Sequence, residues 1–313
     1  MLGRSRISTR LSAVAVGVAA ALTLTLAACG DSDDGGGPGA APAGGATSAG
    51  GYKLTQATDI PASPTLDKIR KRGQILVGTK YDQPLFGLQN PTNSKIEGFD
   101  TEIARLLSIR IFGSPDKVKF TETVSKNREP FIQQGKVDVV IATYTINDAR
   151  KKLVDFAGPY YTAGQDIMVK SDNTTIKSVT DLNGKKVCTV EGSTSEKNLR
   201  AQAPTAEVVL VDTYSSCAEQ LLDGRVDAET TDNVVLLGLI SQHKDDLKLV
   251  GKTFTTEPYG IGLTKGDDAF RTFVNDTLQE TYQNGDWAKA FQSTVGKVAP
   301  TVPTTPTLDR YTA

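Results

Sequence analysis

The chain has 313 residues, with 35 Lys and Arg against 36 Asp and Glu and 38% hydrophobic residues. It is long enough for two lobes, apolar enough for a globular body, and too balanced in charge for a nucleic-acid binder, which needs a basic face to release counterions. One histidine, His243, and three cysteines exclude a multi-histidine zinc centre and a four-thiolate cluster, so no metal or cofactor is expected.

Arg4, Arg6 and Arg10 precede an apolar run from Leu11 to Ala28 that ends in Leu26-Ala27-Ala28-Cys29. A positive region, an apolar region and small residues in that order form a secretory leader over 1–28. The junction with cysteine resembles the bacterial lipobox, in which the thiol is acylated and becomes the new N-terminus. An ordinary cleavage site with an incidental cysteine, or an uncleaved anchor helix, is the alternative. Two or more acyl chains, each methylene contributing about 0.8 kcal/mol, would hold the protein on the outer face of the cell membrane. Residues 29–65, rich in Gly, Ala, Ser and Pro, are expected to form a disordered tether. With Cys29 assigned, Cys188 and Cys217 remain as an even pair, for which an exported protein favours a disulfide over two unpaired buried thiols.

From there, short β-branched runs alternate with helical patterns, the signature of βαβ units. Gln74 to Gly78 reads as a strand, and Asp100 as the cap of a helix carrying Ile103, Leu106 and Leu107. Val137 to Ala142 reads as a buried parallel strand. After Tyr161 the pattern restarts, with strands at Lys186–Val190 and Val208–Val211 and a capping-box pattern at Ser216–Glu219. Gln134-Gly135-Lys136-Val137-Asp138 and Asp223-Gly224-Arg225-Val226-Asp227 echo one another, each ending a helix on Gly and opening a strand with basic-Val-Asp. Five residues past each Asp lie Thr143 and Asp232, at strand carboxyl ends, where open α/β sheets bind ligands. After Asp232 a helical stretch leads to Lys248-Leu249-Val250, and Phe254 to Leu263 then reads as a strand returning to the first lobe. Phe270, Phe273, Leu278 and Trp287 supply closing helices, and Pro300, Pro303 and Pro306 mark a frayed tail over 300–313.

Six stretches in order carry a resemblance to the solute-binding proteins of polar amino-acid ABC importers, nearest to the glutamate-binding lipoproteins of Gram-positive bacteria. They are Gly78–Pro84, Glu97–Asp100, Ala142–Arg150, Val154–Tyr161, Glu191–Thr194 and Thr231–Asn233. The resemblance implies a two-lobed α/β fold of the type II periplasmic-binding-protein kind, each lobe a mostly parallel sheet flanked by helices, with the ligand cleft between. The first lobe would be 66–163 plus 255–299 and the second 164–254, hinged at the crossing strands.

The resemblance also implies roles. Arg150 can grip a ligand α-carboxylate through two parallel N–H bonds, its alternative being a solvated surface arginine beside Lys151 and Lys152. Thr145 offers a hydroxyl and a backbone N–H, and Thr143 is a weaker candidate of the same kind. Ser193 and Thr194 open a helix with Glu196 completing a capping box, and such a terminus binds anions, although the residues could merely cap. Asp232 would pair an α-ammonium, a role compatible with capping the helix that follows. Lys80 stands where many relatives have Asp, so the resemblance points to an acidic ligand; a surface pair with Asp82 or Glu97 is the alternative. Gln83 stands where relatives often place an aromatic on the ligand.

The function expected is therefore a non-catalytic, monomeric receptor that binds L-glutamate, or aspartate, by hinge closure and delivers it to an ABC permease and ATPase encoded separately. Glutamine or another polar amino acid is the alternative ligand. A same-fold enzyme resembling a cyclohexadienyl dehydratase is the rival class, and it needs a general acid/base that His243, between Gln242 and Lys244, is poorly placed to supply.

Overall fold

A computed structural model describes residues 51–311. The leader, Cys29, and residues 30–50 of the expected tether lie outside the described residues, as do 312 and 313 of the tail. In chain order the elements are α1 (Pro64–Arg72), β1 (Ile75–Thr79), β2 (Asp82–Gln83), β3 (Gly87–Gln89), β4 (Ile96–Glu97), α2 (Phe99–Phe112), β5 (Val118–Glu122), α3 (Arg128–Gln133), β6 (Val139–Val140), α4 (Asp148–Lys151) and β7 (Asp155–Ala163). There follow β8 (Gln165–Lys170), β9 (Lys186–Val190), α5 (Thr194–Gln202), β10 (Glu207–Val211), α6 (Tyr214–Leu222), β11 (Ala228–Asp232), α7 (Asn233–Gln242), β12 (Leu247–Leu249), β13 (Glu257–Leu263), α8 (Asp268–Asn284) and α9 (Asp286–Ser293).

The strands form two five-stranded sheets, ordered β5-β1-β6-β13-β7 and β10-β9-β11-β8-β12, and a small sheet β2-β3-β4. In the first large sheet β5, β1 and β6 are parallel and β13 runs against β6 and β7; in the second, β10, β9 and β11 are parallel and β8 runs against β11 and β12. Each sheet thus has four strands in one direction and one reversed, in the same order. This is the two-lobed, mostly parallel architecture. Alternate side chains feed both faces of each sheet. In the first lobe Val77, Val139 and Ile141 pack toward α1, α2, α8 and α9, while Val140, Ala142 and Phe156 pack with Ile132 on the other face. In the second, Met168, Cys188 and Val190 face α6 and α7, and Ile167, Val187 and Ala228 face α5.

The repeated pentapeptide has a structural counterpart. Asp138 accepts the Leu76 amide at 2.7 Å and Asp227 accepts the Lys186 amide at 2.8 Å, so each aspartate ties the strand it precedes to the parallel strand beside it in its own lobe. Cys188 on β9 and Cys217 on α6 are joined, with Cα atoms 5.4 Å apart and a sequence separation of 29. A loop of that length contributes roughly 3–4 kcal/mol in the chain-entropy account.

Four local expectations are corrected. The tether does not extend to residue 65: Tyr52, Leu54 and Ala57 are buried in the first lobe, and the Lys53 and Leu54 amides donate to the Asp286 carboxylate at 2.8 and 2.7 Å. Composition averaged over the segment hides three apolar side chains. Nor is the tail frayed through its described part, because Val302 and Leu308 pack on the first lobe's core. Its prolines hold it extended, which lowers the entropy cost of docking. Asp100 does not cap α2, which opens at Gly98 and Phe99; its carboxylate instead accepts Tyr160 Oη at 2.6 Å and the Thr143 amide at 3.0 Å. Helix α6 begins at Tyr214 after Thr213, ahead of the Ser216 start expected from the sequence.

Candidate ligand-binding site

The candidate residues follow the carboxyl ends of parallel strands: Lys80 after β1, Thr143 and Thr145 after β6, Ser193 after β9 and Asp232 ending β11. In a doubly wound sheet these ends converge on one crevice, which is why a chain with this strand order collects polar side chains there. Lys80, Gln83, Thr143, Thr145, Arg150, Ser193 and Asp232 are all buried. Burial on this scale of groups that prefer water requires partners, and the partners define the site.

Lys80 is 1% exposed, and among the described residues its Nζ has one hydrogen-bond partner, Ser125 Oγ at 2.9 Å. The surface salt bridge with Asp82 or Glu97 is therefore not formed. Burial pulls its pKa down to about 7, with the Asp82 charge opposing the shift and Arg128 adding to it. Gln83 accepts Thr143 Oγ1 at 3.0 Å through Oε1, while its Nε2 is buried without a partner. Thr143 has φ 44, an uncommon backbone for a β-branched residue, and is fixed there by its amide's bond to Asp100.

Arg150 is 4% exposed rather than solvated, and its neighbours explain why. Asn147 caps the single turn of α4 by accepting the Arg150 amide at 3.0 Å. The guanidinium donates through Nη1 to the Thr145 carbonyl at 2.7 Å and through Nη2 to the Gly192 carbonyl at 3.2 Å, with Nε 3.3 Å from Glu129 Oε1. It also lies 4.8 Å from the Tyr144 ring centroid, which Arg128 approaches to 4.4 Å. Burial lowers its pKa to about 10, the Arg128 charge acting in the same sense, so it remains a cation at neutral pH.

From the second lobe, Ser193 caps α5 by accepting the Glu196 amide at 3.0 Å, and Glu196 returns a carboxylate oxygen to the Gly192 amide at 3.0 Å. The capping function expected of Ser193 is present. Thr194 Oγ1 donates to Glu257 Oε2 at 2.8 Å and lies 3.5 Å from Thr145 Oγ1. Asp232 accepts Tyr259 Oη at 2.6 Å on Oδ2, and its Oδ1 is buried without a partner; it makes no side-chain cap bond to α7. Burial pushes its pKa up to about 7, the Glu257 charge adding to the rise and Tyr259, Arg128 and Arg150 resisting it.

Thr145 and Arg150 thus meet Gly192 and Thr194 directly across the lobes. Arg128 and Arg150 are also close enough to act on both Lys80 and Asp232. A depression of about 340 Å³ opens beside this cluster, lined by Thr145, Asn147, Thr194, Lys197, Asn198 and Glu257. Depressions of about 450 and 480 Å³ elsewhere, beside Arg110 and Asp276 and beside Lys177 and Lys248, carry only exposed or half-buried charges. Sequence reasoning missed Arg128, Ser125, Tyr259 and Glu257. Each acts across a long sequence separation, and no local spacing announces it.

Comparison with known proteins identifies the family. The model of the bacterial extracellular solute-binding proteins, family 3, matches residues 75–297. The ABC transporter glutamine-binding protein GlnH of Bacillus subtilis is 42% identical over 229 residues, 73% of this chain and 83% of the relative. The glutamate-binding protein GluB of Corynebacterium glutamicum is 37% identical over 265 residues, 81% of this chain and 89% of the relative. An ancestral arginine-binding protein solved with glutamine superposes with TM-score 0.65 at 40% identity, covering 72% of this chain and 99% of that one. With a family match over residues 75–297 and relatives at this level of identity and coverage, the chain belongs to the bacterial extracellular solute-binding proteins, family 3.

Proposed function

We infer that this protein is the amino-acid receptor of an ABC importer and that its preferred ligand is L-glutamate, with aspartate second. On this reading the α-carboxylate binds Arg150 and Thr145 from the first lobe and the amide end of α5 at Ser193 and Thr194 from the second. The α-ammonium binds Asp232, and the side-chain carboxylate binds Lys80, with Gln83 and Thr143 beside it. Lobe 66–163 plus 255–299 and lobe 164–254 close on the ligand about the crossing strands, because only the closed form offers both sets of contacts. The carrying observation is Lys80, a fully buried amine with one neutral hydrogen-bond partner. A ligand that brings a second carboxylate supplies the anion that such a cation needs, and a cationic ligand is opposed by it.

Glutamine is the second reading, favoured by the name of the relative at 42% identity. Glutamine and glutamate share both α-groups and differ only at the position that Lys80 would read. Calorimetric titration with L-glutamate, L-aspartate and L-glutamine separates them: glutamate should bind at least about tenfold tighter than glutamine, the equivalent of 1.4 kcal/mol. Lys80→Asp should then cost glutamate far more than glutamine. Tighter glutamine binding, with equal losses in the variant, would replace the first reading by the second.

The leader, the Cys29 junction and the extracellular family together support a lipid-anchored protein delivering its ligand to a separate permease. Cys29→Ser should release the protein into the medium, as followed by membrane fractionation; retention on the membrane would count against acylation of Cys29.

A further inference from the structure

The family match stops at residue 297, yet the chain from 300 to 311 runs along the first lobe with built contacts. Asp309 donates its amide to the Gly158 carbonyl at 2.7 Å, and Tyr311 Oη accepts the Phe156 amide at 2.8 Å. Both contacts fall on β7, the outermost strand of its sheet, so the segment covers an edge that would otherwise present unpaired backbone groups. Its side chains reach further. The Tyr311 ring lies 4.2 Å from Lys151 Nζ and 4.3 Å from the Arg271 guanidinium carbon, and Asp309 Oδ2 accepts Lys151 Nζ at 2.6 Å. On the backbone side, Lys265 Nζ donates to the Lys151 carbonyl at 2.7 Å.

Lys151 is the last residue of α4, whose preceding residue is Arg150. A helix of four residues cannot hold itself, since nucleation costs more than one turn returns. Beyond the local Asn147 cap at its start, its position must come from tertiary contacts, which Lys265, Asp309 and Tyr311 supply at its end. We propose that the C-terminal strap 305–311 is a positioning device for the binding cleft, gripping Lys151 between Asp309 and Tyr311 so that the α4 turn presents the Arg150 guanidinium to the ligand. The proposal rests on the reading of Arg150 as the carboxylate anchor. Aiming a bidentate group depends on tenths of an ångström, so a contact on the neighbouring residue can govern affinity without touching the ligand.

The test is calorimetric titration of full-chain variants with whichever of L-glutamate and L-glutamine binds the unmodified protein tighter. Tyr311→Ala should weaken binding about tenfold, the scale of a half-buried ring in contact with two cations, and Tyr311→Phe, which keeps the ring over both cations, should stay within about threefold. In an Arg150→Lys background Tyr311→Ala should add no further loss, because the anchor it aims is already gone. Unchanged affinity in Tyr311→Ala overturns the proposal, and so does a full additional loss in the Arg150→Lys background, which would mark a general stability effect. Should Tyr311→Ala fail to fold, Asp309→Asn removes only the carboxylate charge that pairs with Lys151, and an unaltered affinity there overturns the proposal equally. Normal binding by Arg150→Lys alone would instead remove the anchor reading, and that outcome is visible before the strap is touched.

Discussion

Burial moves Lys80 and Asp232 in opposite directions along the pH scale: the ammonium comes down to about 7 and the carboxyl rises to about 7. Each group prefers its neutral form because water has been taken from the charged one and too little replaces it. A bound glutamate would return what is missing to both, an ammonium beside Asp232 and a carboxylate beside Lys80. Below about pH 7 the free protein holds Asp232 protonated, so binding must expel a proton and affinity falls by up to about tenfold per pH unit. Above about pH 7 the free protein holds Lys80 neutral, binding must take up a proton, and affinity falls with the opposite slope. The ligand's own side chain, with an ordinary value near 4.3, stays ionised throughout. Glutamate affinity measured from pH 5.5 to 8.5 should therefore peak near neutrality, and Lys80→Met should erase the alkaline limb while leaving the acid one. A flat profile in the unmodified protein would remove the assigned roles of both residues.

Helix α6 shows where local spacing stops being informative. Its sequence suggested a start at Ser216, from the pattern Ser-Cys-Ala-Glu, but the helix opens at Tyr214. The first amide is taken by Asp82 Oδ2 at 2.8 Å, a residue 132 positions earlier on the other lobe. No window on the sequence contains both residues. By contrast β9 was legible from Lys186 to Val190, because an apolar run bounded by turns suits a buried parallel strand, and the Ser193 cap was legible because its acceptor and donor are three residues apart. The same division holds at the site. Arg150 and Asp232 stood in recognisable stretches, whereas Glu257 and Arg128 earn their places through contacts over long separations. The Asp82 contact joins the two lobes, so it can exist only when they meet. Asp82→Ala should weaken amino-acid binding about fivefold, consistent with about 1 kcal/mol for a lost helix cap, and should do so by faster release rather than slower capture. Stopped-flow fluorescence would resolve the two rates; an unchanged release rate would show that the cap contributes nothing to closure.

At the scale of the molecule, the two similar lobes touch where side chains have been left out. Gly238, within α7, faces Pro84 across the interface, and a Cβ built on it would lie 2.5 Å from the Pro84 carbonyl oxygen. Lys126 on the first lobe reaches Glu191 and Asp212 on the second at 2.8 and 2.7 Å, but all three side chains are exposed and contribute little. Backbone approach at Gly238 is the stricter requirement, since a carbonyl cannot swing aside as a long side chain can. Glycine inside a helix costs about 1 kcal/mol relative to alanine, so its presence in α7 runs against local stability and calls for a reason elsewhere. If that reason is closure, Gly238→Ala separates two effects that most substitutions confound. The ligand-free protein should melt at the same temperature or slightly higher, because the helix gains a better former. Amino-acid affinity should nevertheless fall about tenfold or more, since the added methyl group holds the lobes apart and the contacts from the second lobe are lost. Small-angle scattering should show the ligand-induced contraction reduced in the variant. A raised melting temperature with unaltered affinity and the full contraction would mean that the lobes close without this approach, and the geometry at Pro84 would then carry no weight in the mechanism.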